Sequence, residues 1–492
     1  MAFQSGPTTL VADVWQLVRP GGISHTVHWE TFIANHGHFV VEVVLVLIIL
    51  YLILQKGRPS GRDLEPLTEK EVESLCKEWE PEPLCPPMSE SEKHKTFPIV
   101  SSTSGAQAVV DGRDVVNFCS SNFLGLSRHG DILSSCKETL QKYGCGSCGP
   151  RGFYGTIDVH LELEDRLSRF MGTEEAIIYS YDMSTLPSII PAFANRKDLI
   201  ICDESVNFAI QNGCNLSRSR VLKFRHNDVA DLRRLMEAVA EEDRLSGKKL
   251  NRKYVVVEGI YANTGDIAPL DEIFRAKEDH KYRLIVDESY SLGVLGPTGR
   301  GACEHFGILG RAEIVAASMS NALASVGGFC CGDREICDHQ RLSGSGYCFS
   351  ASLPPFLATA ALRALDVIED DGAARISAVQ ANAERLRALL AANLKGLKVV
   401  SSNAVSCASP LIHLRLSEPP LAMEVGAHLL DKIVEHCLEG GVLLSVNTVS
   451  RLDASKPAPS IRVAVTAEHT EEDLAKIVDA LVSACSNVLN EL

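Results

Sequence analysis

The stretch Leu284-Ile285-Val286-Asp287-Glu288-Ser289-Tyr290 runs from branched apolar residues into a carboxylate, and it lies within a repeating pattern. From about Asp111 onward, short apolar runs alternate with helical patterns such as Val159–Met171 and Val229–Glu241. This alternation predicts an open, mostly parallel sheet covered by helices. Ligands bind at the carboxyl ends of the strands in such sheets, so we expect Asp287 to lie at a site. The predicted strands are Ala176–Ser180, Leu199–Cys202, Val221–Phe224, Tyr254–Glu258, Leu284–Asp287, Ile314–Ser318 and Gly328–Cys331.

A second, smaller unit follows the two helical stretches Phe356–Glu369 and Ala373–Leu394. Thr470 and Asp473 have the spacing of a helix start and predict the beginning of the last helix. We therefore predict a large α/β domain over residues 111–370 and a small α+β domain over residues 371–492. The predicted strands of the small domain are Leu397–Ser401, Leu411–Leu416, Val442–Val446 and Ile461–Val465.

The N-terminal region contains an apolar run, Phe39–Leu54, that only Glu42 interrupts. It is shorter than the ~20 residues that usually span a bilayer. It lies outside the α/β pattern, however, which favours a single transmembrane helix within residues 1–60 over a buried core helix. Lys56, Arg58 and Arg62 follow the run and predict that the C-terminal bulk is cytosolic.

Two further segments flank this run. Apolar residues recur at helical spacing between Leu10 and Val18, which fits either a helix on the membrane surface or one packed on a partner protein. On the other side, the proline-rich stretch Trp79–Pro87 predicts an extended connector, and we assign residues 61–110 to a Pro-rich linker and an N-terminal arm.

Composition excludes some functions and favours others. The 492 residues carry a net charge of −15 and no long basic stretch, which argues against nucleic-acid binding. The 16 cysteines are scattered, as expected of free thiols in a reducing compartment. One CxxC occurs, Cys145 to Cys148, inside a glycine-rich loop. Because no second pair supplies further ligands, we interpret it as structural and expect no metal site.

Several ordered motifs lie between Val115 and the C-terminus. They are Asn117-Phe118, Asn122–Leu126, the glycine-rich loop Tyr143–Thr156 with His160–Glu162, Glu258-Gly259, Gly265–Leu270, Asp287–Tyr290, Ser318–Gly328, Phe349–Pro355, Ile461-Arg462 and His469-Thr470. Together they resemble the α-oxoamine synthases, pyridoxal-phosphate (PLP) enzymes that condense an amino acid with an acyl-CoA. The resemblance implies a PLP-dependent aminotransferase-like fold, known as fold type I.

Asn321 stands where that family has the lysine that holds PLP covalently. An amide nitrogen is not a usable nucleophile toward an aldehyde, since its lone pair is delocalised into the carbonyl. No lysine occurs between Lys281 and Lys395 to replace it. Asn207 likewise stands at the position of the ring-stacking histidine, and Asp182 at that of a usual glycine. Asp287 is retained, and we expect it to be a structural or vestigial residue.

Five phrases of the sequence carry a more specific resemblance: WEPEPL (Trp79–Leu84), CGPRGFYGT (Cys148–Thr156), HND (His226–Asp228), GGFCCG (Gly327–Gly332) and His339–Pro355. They are similar to the non-catalytic long-chain-base subunits of eukaryotic serine palmitoyltransferases. The resemblance implies a heterodimer with a lysine-bearing catalytic chain at the endoplasmic reticulum membrane, with PLP held by that partner and small membrane proteins as possible regulators. The heterodimer would join L-serine and palmitoyl-CoA into 3-ketodihydrosphingosine, releasing CO2 and CoA.

The resemblance also implies residues that complete the partner's site. Ser350 and Ser352 would donate hydrogen bonds to the partner's PLP phosphate, while Arg151 and Tyr154 would border its substrate pocket. Arg462 matches the arginine that pairs with the amino-acid carboxylate. For Arg462 we favour an ion pair within its own domain. For Arg151 a structural role as a hydrogen-bond donor to loop carbonyls is an equal alternative.

Two other functions remain open. The chain could be active alone with a displaced lysine, although the gap from Lys281 to Lys395 argues against it. It could also be a membrane scaffold or regulatory subunit that does not contribute to the active site, which its apolar N-terminal segment motivates.

Overall fold

The computed structural model describes residues 41–52, 67–85, 88, 97–247, 252–400, 408–420, 422–447 and 453–489. It divides into two compact units, Met1–Thr96 and Phe97–Leu492.

The first unit contains two described helices. Residues 41–52 are helical and all their side chains are exposed. The remainder of the predicted membrane segment, and the amphipathic segment before it, lie outside the described residues. Among the helices that are described, none combines the length and apolar character needed to cross a membrane. A second helix, Glu69–Glu78, begins at Thr68, whose backbone N–H donates to Glu71 Oε2 at 2.8 Å.

The second unit contains fifteen described strands in three sheets and a set of helices. The strands are β1 (Val100–Ser104), β2 (Gln107–Val110), β3 (Arg113–Asn117), β4 (Glu175–Tyr179), β5 (Leu199–Asp203), β6 (Arg220–Phe224), β7 (Lys253–Glu258), β8 (Arg283–Asp287), β9 (Ile314–Ser318), β10 (Gly328–Gly332), β11 (Leu397–Val399), β12 (Leu411–Leu416), β13 (Val442–Leu443), β14 (Ser445–Val446) and β15 (Ile461–Ala464). The α-helices are Gly130–Tyr143, Asp158–Met171, Asp182–Phe193, Phe208–Ser217, Val229–Ser246, Leu270–His280, Ala302–His305, Arg334–Ser343, Ser345–Cys348, Pro355–Asn393, Met423–Glu439 and Glu471–Leu489.

The main sheet has seven strands in the order β4-β10-β9-β8-β7-β5-β6. The strands from β9 to β6 are parallel, while β10 is antiparallel to both β9 and β4. Every residue of β5 and β9 is buried, as expected of parallel strands covered on both faces. The predicted mostly parallel sheet is confirmed, and its strands begin and end within one residue of the predicted bounds.

One long helix, Pro355–Asn393, replaces the two helices that the sequence predicts. The gap between the two predicted helices, Glu369 to Ala373, includes Gly372, and glycine costs about 1 kcal/mol in a helix interior. The apolar stripe continues across that position, however, and Leu365, Ile368, Ile376 and Val379 are all buried. Burial of these side chains outweighs the conformational cost of one glycine.

The predicted small domain contains the sheet β11-β12-β15-β14, while β1, β2, β3 and β13 form a further sheet. Two details differ from prediction. Residues 97–110, assigned to the linker and N-terminal arm with no strand predicted, contain β1 and β2, and Ala108 and Val110 pack against Val115 and Leu443. The predicted strand over residues 442–446 divides into β13 and β14, which join different sheets.

The last helix begins as the sequence predicts. Thr470 N–H donates to Asp473 Oδ2 at 2.9 Å, and Asp473 N–H donates to Thr470 Oγ1 at 3.2 Å. This reciprocal pair satisfies two backbone donors that a helix start would otherwise leave unpaired.

Candidate functional site

Four adjacent parallel strands end in polar residues along one edge of the main sheet: β5 in Asp203, β7 in Glu258, β8 in Asp287 and β9 in Ser318. Glu258 and Asp287 are register partners. Because the carboxyl ends of parallel strands share one edge, these side chains converge where such sheets bind ligands. The predicted position of Asp287 at a site is thus matched by the fold.

Asp287 is 2% exposed, and both its carboxylate oxygens accept hydrogen bonds from within the chain. Oδ2 accepts from Asn207 Nδ2 at 2.9 Å. Oδ1 accepts from the Ser289 N–H at 2.9 Å and from Ser289 Oγ at 2.5 Å. Burial raises the pKa of Asp287, and the bonds from Ser289 and Asn207 oppose that rise because they favour the charged form.

Asn207 begins the helix Phe208–Ser217 and links it to the sheet edge. Its Oδ1 accepts from the Ile210 N–H at 3.0 Å, which caps the helix, while its backbone N–H donates to Glu258 Oε1 at 2.7 Å. With Nδ2 donating to Asp287, the side chain is held from both ends. The residue at the predicted ring-stacking position therefore serves as a helix cap and as the donor to Asp287.

Glu258 is fully buried beside Asp287, and its second oxygen accepts from the Ala262 N–H at 2.9 Å. Burial, followed by the neighbouring Asp287 carboxylate, raises the pKa of Glu258. From sequence, Glu258 is recognised only as part of a motif. Its position as the last residue of an apolar strand, next to the Asp287 strand, is the signal that could have placed it at the site.

Asn321 is half-buried in the loop between β9 and β10. Its Nδ2 donates to the Ser289 carbonyl at 2.7 Å, and its own carbonyl accepts from the Phe123 N–H at 3.1 Å. Ser289 is therefore bonded to Asp287 through its side chain and to Asn321 through its backbone. The amide at position 321 is part of the same hydrogen-bonded network as Asp287 and Asn207.

Asp182 lies at the first position of the helix Asp182–Phe193. Its Oδ2 accepts from Ser318 Oγ at 2.8 Å and from Ser320 Oγ at 2.7 Å. Asp182 is not among the described residues with positive φ, so its backbone does not need a glycine's freedom. The sequence does not predict this contact, although the two serines directly after an apolar strand could have indicated it.

Arg462 lies on β15, where we expected an ion pair within its own domain. Among the described residues no such pair is seen. Its Nη2 donates to Ser121 Oγ at 2.5 Å, and the guanidinium carbon lies 5.8 Å from the centre of the Tyr290 ring. The hydroxyl and the aromatic face take the place of a carboxylate.

Arg151 is buried within the glycine-rich loop. Its Nη1 and Nη2 donate to the two oxygens of Glu164 at 2.8 and 2.9 Å, and its Nε donates to Thr156 Oγ1 at 3.0 Å. The Arg151 side chain is 4% exposed. It therefore braces the loop from inside, but its acceptors among the described residues are the side chains of Glu164 and Thr156, where we expected loop carbonyls.

Ser352 also holds this loop. Its N–H donates to the Gly149 carbonyl at 3.0 Å, and its Oγ donates to the Gly155 carbonyl at 2.5 Å. A Cβ at Gly155 would lie 1.9 Å from the Gly149 carbonyl oxygen, so only glycine allows this closure. Ser350 differs, because its Oγ is buried and has no hydrogen-bond partner among the described residues.

The tip of the loop presents two aromatic side chains to solvent. Tyr154 is fully exposed and Phe153 is 70% exposed. Tyr154 has a φ of 63°, a left-handed conformation that is unfavourable for a bulky residue. Cys145 and Cys148 of the same loop are exposed free thiols. A rigid base thus supports a strained, exposed aromatic tip.

The buried pair makes a prediction about stability. Replacing Arg151 with Met leaves Glu164 charged and unpaired, so we expect the free energy of unfolding to fall by about 3–5 kcal/mol. The matched control is Arg169→Met, which removes a pair to Asp165 that is largely exposed and should cost under about 1 kcal/mol. Denaturant unfolding of both variants measures the difference, and equal losses would contradict the bracing role of Arg151.

Comparison with known proteins gives the family of the chain. Residues 113–481 match the family of class I and II aminotransferases. The chain is 45% identical over 455 residues to long chain base biosynthesis protein 1b of Oryza sativa, covering 92% of each chain. It is 34% identical to serine palmitoyltransferase 1 of Saccharomyces cerevisiae, covering 92% of this chain and 90% of that one.

Solved structures agree with the sequence relatives. A serine palmitoyltransferase variant from S. paucimobilis with a bound PLP–myriocin aldimine matches with a TM-score of 0.72 and 27% identity, covering 80% of this chain and 93% of that one. The predicted aminotransferase-like fold is therefore confirmed. The chain belongs to the class I and II aminotransferase family, within the group that contains the long-chain-base biosynthesis proteins and serine palmitoyltransferases.

Proposed function

We propose that this chain is the PLP-silent subunit of a serine palmitoyltransferase heterodimer. The heterodimer condenses L-serine with palmitoyl-CoA to 3-ketodihydrosphingosine, the first step of sphingolipid synthesis, and a lysine-bearing partner holds PLP. The names of the relatives support the reaction, since they are long-chain-base biosynthesis proteins and serine palmitoyltransferases. This chain stabilises the partner, anchors it to the membrane and completes its active site.

The observation that carries the proposal is the bonding of Asn321. Its side-chain nitrogen is an amide, which cannot attack an aldehyde, and it already donates to the Ser289 carbonyl at 2.7 Å. The side chain at the position that would hold the cofactor covalently is thus unreactive toward an aldehyde and already hydrogen-bonded within the chain.

We call the polar residues around Asp287 the cradle; they are Asn207, Ser289, Asn321, Asp182, Ser318 and Ser320. Its residues other than Asn321 do not fit PLP either. In a working site a carboxylate pairs with the protonated ring nitrogen, which makes the ring an electron sink. Asp287 instead accepts from Asn207 and Ser289 on both oxygens. The Asn207 amide is fixed by the helix cap and by Asp287, which leaves it no freedom to cover a ring. We therefore derive no chemical step through PLP in this chain.

The glycine-rich loop supplies the surface that we propose for the partner. The Ser352 N–H bond to Gly149 joins the loop to the segment after Cys348, and the Ser180 Oγ bond to the Ala351 carbonyl, at 2.5 Å, joins that segment to the loop after β4. Aromatic residues are enriched in the energetically important parts of interfaces. These three connected segments carry the exposed aromatic residues Phe153, Tyr154, Tyr181 and Phe349.

Ser350 is the residue that we propose to reach the partner's PLP phosphate. A buried hydroxyl without a hydrogen bond is costly, so a ligand group that accepts from it would be favourable. Ser352 is less suited, since its hydroxyl is committed to the Gly155 carbonyl. Arg151 acts indirectly, by holding the loop, whereas Arg462 keeps no carboxylate partner among the described residues.

Covalent trapping tests the silent role. The chain alone, and the chain with its lysine-bearing partner, are incubated with PLP and reduced with borohydride, and modified lysines are mapped by mass spectrometry. We expect a specific label on the partner only. A specific label on a lysine of this chain would show that it holds PLP and is an enzyme in its own right.

The aromatic tip gives a second prediction. Replacing Tyr154 with Ala should weaken heterodimer formation by about 30-fold, a typical effect of about 2 kcal/mol for a central aromatic residue. Folding of the chain should be unaffected because the side chain is fully exposed. The control is Leu245→Ala, an exposed apolar residue on the helix Val229–Ser246. Titration of the partner measures both, and equal affinities would remove the tip from the interface.

For location, we propose the endoplasmic reticulum membrane, with residues 39–54 as the single-pass anchor and the second unit in the cytosol. The apolar sequence and the basic residues after it support this. Removing residues 39–54 should release the chain from the membrane fraction in carbonate-washed extracts. If the shortened chain pellets as fully as the intact one, this segment is not the anchor.

A membrane scaffold that leaves the active site untouched is the alternative, and the fully exposed apolar helix 41–52 favours it. The two functions differ in one measurable respect. A Ser350→Ala variant that keeps the heterodimer intact should lower its specific activity if this chain completes the site. Unchanged activity in that intact complex would favour the scaffold.

A further inference from the structure

Asp182 lies where the N-terminus of a helix meets two serines at the end of β9, and both groups are suited to bind an anion. It opens the helix Asp182–Phe193, directly after β4 and the loop Ser180-Tyr181. The first N–H groups of a helix have no partner within the helix and carry the positive end of its dipole. Ser318 ends β9 and Ser320 follows it, and both hydroxyls point to the same place.

A phosphate group bound at this junction would use these same donors. Helix N-termini with nearby hydroxyls are a recurrent phosphate site, because N–H groups and the dipole both favour negative charge. In this chain the donors are already taken, since Oδ2 of Asp182 accepts from Ser318 at 2.8 Å and from Ser320 at 2.7 Å. The serines are also linked to each other through their hydroxyls at 2.7 Å.

We infer that the Asp182 carboxylate is a built-in anion that fills the phosphate end of the PLP cradle and excludes the cofactor independently of Asn321. The inference rests on the proposed function, because it concerns the cradle that this subunit leaves unused. It adds a second obstacle to the cofactor beside the position of the missing lysine, since Ser320, which donates to Asp182, directly precedes Asn321.

Charge explains why the exclusion would be effective. A phosphate monoester carries between one and two negative charges near neutral pH, and a carboxylate at hydrogen-bond distance would repel it strongly in a half-buried site. Among the described residues, Asp182 has no lysine, arginine or histidine to neutralise it. The serine hydroxyls that stabilise Asp182 are the groups that the phosphate would need.

The arrangement also has a cost to the chain. Oδ1 of Asp182 is buried and has no hydrogen-bond partner among the described residues. Burial raises the pKa of Asp182, and only the two serine hydroxyls and the nearby Gly327 amide oppose the rise. A side chain placed at such a cost is better explained by the exclusion of an anion than by helix capping alone.

Pyridoxamine 5′-phosphate is the probe that tests this inference, because it carries the ring and the phosphate but no aldehyde. Its binding therefore needs no lysine and does not label surface amines. The full-length chain is titrated calorimetrically as wild type, Asp182→Ala and Asp182→Asn. The matched control is Asp131→Ala, which removes one exposed carboxylate from the first turn of the helix Gly130–Tyr143.

We expect both Asp182 variants to bind the probe at least about tenfold more tightly than wild type and than Asp131→Ala, a gain of about 1.4 kcal/mol. Pyridoxamine, which lacks the phosphate, should show no such gain. Affinities of both Asp182 variants within about threefold of the control would overturn the inference, as would an equal gain for pyridoxamine. A failure of the proposed function is seen separately, as borohydride labelling of the wild-type chain by PLP.

Discussion

The buried carboxylate of Asp287, held by the Asn207 amide at 2.9 Å, is the contact on which the rest of this site depends. A charge at the end of a central strand is costly unless donors surround it. The chain supplies those donors itself, from Asn207 and Ser289. Because Asn207 also caps the helix Phe208–Ser217, the same amide joins the sheet edge to a neighbouring helix. The donors to Asp287 at this sheet edge therefore come from within the chain.

The polar groups around Asp287 are also hydrogen-bonded within the chain. Asn321 is bonded to the Ser289 carbonyl, and the Ser318 and Ser320 hydroxyls are bonded to Asp182. Each of these polar groups, which a phosphate, a pyridine ring or an aldehyde would engage, has an internal partner. Such a site can be stable with nothing bound, as the proposed PLP-silent role requires.

The glycine-rich loop, in contrast to the residues around Asp287, exposes side chains to solvent. Its base is fixed by the Arg151–Glu164 pair and by Ser352, while Phe153 and Tyr154 remain exposed at its tip. Rigid support for exposed aromatic side chains lowers the entropy that binding must overcome. The polar groups around Asp287 are thus bonded to one another, while the aromatic tip of the glycine-rich loop is ordered and exposed.

The sequence predicts the strands well because buried parallel strands are short, apolar and bounded by polar residues, as Leu284–Asp287 illustrates. It predicts a break at Gly372 that is absent, since helix propensity is weaker than burial of the neighbouring Ile368 and Ile376. Side-chain partners were harder to predict. Ser352, Asp182 and Arg462 each bond to residues distant in sequence, and only the two serines at the end of β9 offer a local signal for such a contact.

The stoichiometry of cofactor binding tests the central claim most directly. The purified heterodimer is saturated with PLP and dialysed, and the cofactor released by acid is counted against each chain. If the polar groups around Asp287 stay bonded to one another and this chain binds no cofactor, we expect one PLP for each pair of chains. Two PLP for each pair would mean that the cradle around Asp287 accepts the cofactor, which would contradict a silent role for this chain.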